Sequence, residues 1–130
     1  MNMKRILTKL VLALFALSAP AMASSQAIEG RWANPKRSVI VHVSRCGDAY
    51  CGTVSWANAK NRHNGTVPGT RVLSDLRPAG DGVYKGRAFE PKRDISGSAT
   101  VRQVSPDVMI VKGCAVMGIF CKEQRWTRIS

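Results

Sequence analysis

The chain has 130 residues, 45% of them hydrophobic, and carries 20 Lys and Arg against 8 Asp and Glu, a formal net charge of +12. Such a length supports one domain around one core and argues against a division into several. The excess of basic charge points to anionic partners.

Lys4, Arg5 and Lys9 form a positive n-region, residues 10–19 an apolar h-region, and Ala21-Met22-Ala23 a small-x-small cleavage site, which predicts a signal peptide over residues 1–23. A retained anchor is the weaker alternative, because the apolar run falls short of the roughly 20 residues that span a bilayer. No cysteine follows the site for lipid attachment. Cleavage leaves 107 of the 130 residues, 24–130, with 17 basic residues against 8 acidic and a net charge of +9. Export to the periplasm or beyond removes nucleic acid as a partner, leaving lipid head groups, envelope polymers or acidic ligands. General solubility explains the charge equally well.

Gly30-Arg31-Trp32 lies in a first strand over residues 28–33. Val39, Val41 and Val43 alternate with Ile40, His42 and Ser44, the period of a strand with one apolar face. Residues 50–56 continue the pattern, and alternation places Tyr50, Gly52, Val54 and Trp56 on one face. Further strands are predicted over residues 70–76, 83–89, 98–104, 108–113 and 122–129, which makes eight. Pro78-Ala79-Gly80-Asp81-Gly82, Pro91-Lys92-Arg93-Asp94 and Ser105-Pro106-Asp107 supply turn chemistry between them. The polar segment 57–69 reads as a solvated loop, with a lid over one barrel mouth as the alternative. No segment after the leader shows a sustained helical period.

Four cysteines permit three pairings. The short separations favour Cys46 with Cys51 and Cys114 with Cys121, each bracketing a hairpin turn. A four-thiolate zinc site is the rival, although zinc ligand pairs usually stand closer together and an oxidising compartment favours disulfides. Inside the second pair, Val116, Met117, Ile119 and Phe120 make an apolar tip where a polar turn is the norm. Such a tip is either a plug folded over one barrel end, the reading preferred here, or an exposed partner contact.

Short strands joined in order by short turns predict an all-β fold, a single small antiparallel up-and-down barrel of about eight strands, which closes its own edges. A two-sheet sandwich competes. Gly30-Arg31-Trp32 at one end and Trp126-Thr127-Arg128 at the other favour the barrel, since closure sets the first and last strands side by side and lets Arg128 cover Trp32.

Gly-x-Trp on the first strand with an Arg on the last resembles the structural signature of the lipocalin and avidin superfamily. More closely, four stretches resemble a family of small exported bacterial proteins known only as a domain of unknown function. They are Glu29-Gly30-Arg31-Trp32, the run from Cys46 to Gly52, the segment 86–97 around Pro91, and Gln124-Arg125-Trp126-Thr127-Arg128. The resemblance covers nearly all of the exported chain and implies a small lipocalin-like barrel in which Gly30, Trp32, Trp126 and Arg128 serve closure, not catalysis. The chain departs from the family pattern over residues 57–65, where Lys60, Arg62 and His63 stand in place of an acidic segment, so no family ligand contact carries over there.

Catalytic chemistry finds little support. His42 and His63 have no carboxylate or histidine at metal-ligand spacing, and no nucleophile elbow or phosphate-cradling Gly-rich loop is present. Asp75, Asp81 and Glu90 suit turns and surface. Neither enzyme activity nor a metal or cofactor is expected. Tyr50, Trp56 and Tyr84, on strands that also carry Arg71, Arg87 and Arg102, would suit a small amphipathic or anionic ligand at a barrel mouth. The expectation is therefore a monomeric, non-catalytic small-ligand-binding protein. The alternative is a module that docks on an envelope component or another protein through the Cys114–Cys121 tip and the basic surface.

Overall fold

The computed structural model describes residues 27–130; the expected signal peptide over 1–23 lies outside the described residues. Eight strands follow one another in order: β1 (Gly30–Ala33), β2 (Val39–Cys46), β3 (Ala49–Ala57), β4 (Arg71–Pro78), β5 (Val83–Glu90), β6 (Ile95–Ser105), β7 (Val108–Ala115) and β8 (Phe120–Arg128). Each pairs antiparallel with the next, and β1 pairs with β8 through Trp32 opposite Arg128 and Ala33 opposite Thr127, so the sheet closes into a barrel. All eight predicted strands are present, with ends shifted by up to three residues, and the sandwich is excluded.

One buried cluster occupies the interior. Trp32, Val43, Leu76, Val101, Met109 and Trp126 anchor it, and Tyr84 and Ala88 of β5 complete a lining drawn from all eight strands. Of several register shifts, two decide which side chains face inward near the candidate residues. In β4, Leu73 and Leu76 are both buried although three residues apart, because a bulge at Asp75, with φ 53°, takes up the extra residue. Gly86 of β5 faces that bulge, where a Cβ would stand 2.5 Å from the Ser74 carbonyl oxygen, so only glycine fits. In β3 the pairing with β2 slips between Val54 and Trp56. Val54 and Ala57 point inward, and Trp56 is turned out of the face it was expected to share with Tyr50.

The segment 58–70 contains a short helix, α1 (Ala59–His63), that the periodicity did not predict. Its cause is local: the Asn58 side chain caps it, Oδ1 accepting from the Asn61 backbone N–H at 3.0 Å. Backbone bonds from Val54 to Thr70 and from Gly69 to Val54, both 2.8 Å, tie the segment back to β3. Gly65 rests against Pro91 in the β5–β6 turn.

Both cysteine pairs are disulfides, Cys46–Cys51 and Cys114–Cys121. They stand at opposite ends of the barrel, one on the β2–β3 turn and one on the β7–β8 turn, so the four sulfurs form no common metal site.

Candidate functional site

In an up-and-down barrel the turns after odd-numbered strands gather at one end and those after even-numbered strands at the other. The second end is the closed one. There Arg128 lies over the Trp32 ring, its guanidinium carbon 4.4 Å from the ring centroid. Its side chain donates to the carbonyls of Pro106 (2.7 Å), Ala27 (2.9 Å) and Glu29. Ile28 is buried beneath, and its carbonyl accepts from the Trp32 indole N–H at 2.9 Å. Gly30, with φ 135°, has no room for a side chain, since a Cβ would stand 2.4 Å from Arg128 Nη1. Trp126 packs beside this group and donates its indole N–H to Gln124 at 2.8 Å.

The expected ligand residues do not converge. Tyr50 and Tyr84 meet edge to face inside the barrel, with ring centroids 5.6 Å apart, and Arg45 caps Tyr50 from 5.1 Å. Burial, helped by Tyr50 beside it, pushes the Tyr84 phenol above its ordinary pKa. Trp56 faces outward, and Arg71, Arg87 and Arg102 are exposed. Geometry thus gathers two of the six.

The other end differs in chemistry. The β7–β8 ladder runs on to Ala115 opposite Phe120, and Val116, Met117 and Gly118 of the turn border a hollow with Arg87 of β5 and Ser96, Gly97 and Ser98 of β6. The expectation of a plug is corrected: Met117 is 100% exposed, Ile119 72% and Phe120 67%, with Val116 also exposed. Val116 and Met117 hold positive φ angles, 52° and 57°, an uncommon state for side chains of their kind, and the Cys114–Cys121 disulfide pins the base of the turn.

Charge divides along the same axis. The turns at the tip's end carry Lys36, Arg37, Lys60, Arg62, Lys92 and Arg93 against one carboxylate, Asp94. At the closed end the turns carry Asp48, Asp81 and Asp107 and no basic residue. Glu90 answers Arg93 and Lys122, at 3.0 and 3.8 Å, and Arg77 answers Asp48 at 3.7 Å. The remaining five basic residues of the tip's end enter no ion pair among the described residues. Sequence reasoning found the tip and the net charge. It missed the polarity, which needs the strand order to assign each turn to an end.

These features define a small, closed, up-and-down β-barrel with an Arg-on-Trp latch between its first and last strands. The chain belongs to the family described as an uncharacterized protein conserved in bacteria (DUF2147), whose model matches residues 30–128. No curated protein and no solved structure matches it.

Proposed function

We propose that this protein is a non-catalytic envelope docking module that settles on an anionic lipid surface through the Cys114–Cys121 hairpin. One observation carries the reading: an exposed apolar tip, held at its base by a disulfide, stands at the end of the barrel whose turns are basic. Apolar side chains inserted at the head-group boundary gain from leaving water, roughly 1.5–3 kcal/mol each when fully buried. Basic residues close to an anionic leaflet add about 1 kcal/mol apiece. Two disulfides suit the oxidising compartment in which such a surface would be met. The carrier reading, in which the interior holds a small amphipathic anion, has less support because side chains from all eight strands occupy that interior.

The test is cosedimentation of the protein with vesicles of phosphatidylglycerol and of phosphatidylcholine. Binding to the anionic vesicles that is lost on changing Met117→Ser and Ile119→Ser together, with the circular dichroism unchanged, supports docking. Equal binding by the double variant overturns it.

A further inference from the structure

The outer wall carries a hollow that neither the latch nor the tip explains. It has a volume of about 550 Å³ and lies over β1, β2 and β3. The ladder produces it. Ala33, Ile40 and Trp56 stand in one row across the three strands, Ala33 opposite Ile40 and Ile40 opposite Trp56. The β3 bulge brings Trp56 outward into that row, and the short Ala33 side chain beside two large ones leaves the depression. Ile129, just past β8, continues the apolar lining. Trp56 remains 44% exposed.

Two guanidinium groups, Arg31 and Arg37, also line the hollow. The Arg31 side chain and the backbone that carries Arg37 are held by local structure. Arg31 donates its Nε–H to Ser130 Oγ at 2.9 Å. Arg37 sits at φ 55° in a turn organised by Asn34, whose Oδ1 accepts from the backbone N–H groups of Ser38 (2.8 Å) and Val39 (3.0 Å). Neither guanidinium enters an ion pair among the described residues. An apolar trough edged by two guanidinium groups that enter no ion pair has the chemistry of a receptor for an amphipathic anion.

The geometry points to a binding site for a small amphipathic carboxylate in this hollow, its apolar body lying on Ala33, Ile40 and Trp56 and its carboxylate taken by Arg31 and Arg37. The site is separate from the apolar tip, no residue of which lines it, and shares with the basic turns of that end only Arg37. It is also distinct from the barrel interior, because Trp56 and its row face away from the core.

The three tryptophan indole N–H signals of the folded protein separate the possibilities by NMR, with Trp56→Phe identifying the Trp56 signal. Decanoate below its micelle concentration should shift the Trp56 signal saturably and leave Trp32 and Trp126 in place. Decanol should bind at least about tenfold more weakly, as should decanoate to Arg31→Gln or Arg37→Gln, the loss expected for one charge-assisted hydrogen bond. Met117→Ser with Ile119→Ser should change nothing here. Decanol binding as well as decanoate would reduce the hollow to a greasy patch and overturn the inference. So would joint movement of all three signals, which means uptake into the interior, or the absence of any saturable shift.

Discussion

Gly113 of β7 faces Ala88 of β5 over the intervening strand β6, so near that a Cβ on Gly113 would lie 3.4 Å from the Ala88 methyl carbon. Strands β5 and β7 are each paired with β6 and not with each other, so the sheet curls tightly enough here for next-but-one strands to approach on its inner face.

Gly113→Leu therefore adds atoms where a methyl group alone would already reach ordinary contact. The expected cost is about 1–3 kcal/mol of folding stability, as for overpacked cores in general, read from the urea midpoint. A leucine accepted without loss would mean that the interior has room, which would restore the carrier reading.

The latch predicts coupling. Trp32→Ala should cost about 3–5 kcal/mol as a large-to-small change at a fully buried site. Arg128→Ala should cost less, and in a double-mutant cycle the pair should interact by more than about 0.5 kcal/mol, since residues in contact are not additive. Gly30→Ala should be severe for its position, because it places a methyl group against Arg128 on a backbone with φ 135°. Additivity of Trp32→Ala and Arg128→Ala would show that the stacking contributes nothing of its own.

The strands, the closure and both disulfides were legible in the sequence because each has a local signal: alternation, a matched pair of end motifs, and short cysteine spacing. The bulges at Asp75 and beside Trp56 were not. Strict alternation assigns Leu73 and Asp75 to one face, and nothing in Ser74-Asp75-Leu76 announces that Leu76 will turn inward instead. The same blindness placed Trp56 on one face with Tyr50. Bulges arise where neighbouring strands must shear to close the barrel, and that requirement belongs to the pairing, not to either strand alone. The candidate site suffered accordingly. Trp56 was singled out for ligand contact, but its companions Arg31 and Arg37 were not, because only the bulge brings Trp56 to their side of the wall.

Tyr84 gives a prediction in alkali. Its phenol titrates above the ordinary value near 10 because burial and the neighbouring Tyr50 oppose the charged form. A group whose folded-state pKa is raised contributes stability that is fully present below its unfolded value and is lost as pH rises through the folded value. Stability should thus be insensitive to this group up to about pH 10, the unfolded tyrosine value, and should decline above it. Tyr84→Phe should remove part of that alkaline decline. An identical decline in the variant would show that Tyr84 ionises freely.

The charge division between the barrel ends yields the most specific prediction, because it gives docking a direction. Reversing Lys60→Glu, Arg62→Glu or Lys92→Glu at the tip's end should weaken binding to phosphatidylglycerol vesicles by about fivefold or more for each residue, the equivalent of about 1 kcal/mol per basic residue near an anionic surface. Neutralising Asp48, Asp81 and Asp107 to Asn at the far end should leave binding within about twofold, since those groups would stand more than a Debye length of about 8 Å from the lipid. Salt should suppress the contribution of the basic turns and spare that of the apolar tip, so Met117→Ser with Ile119→Ser should abolish the binding that survives high salt. A reporter at the tip makes orientation visible: the emission of Met117→Trp should shift to the blue on anionic vesicles as the indole leaves water, while the same vesicles leave the buried Trp32 and Trp126 unchanged. Equal loss from substitutions at either end, or a Met117→Trp emission that stays that of exposed tryptophan while the protein binds, would mean that the barrel adheres through diffuse charge, and the tip would lose its assigned role.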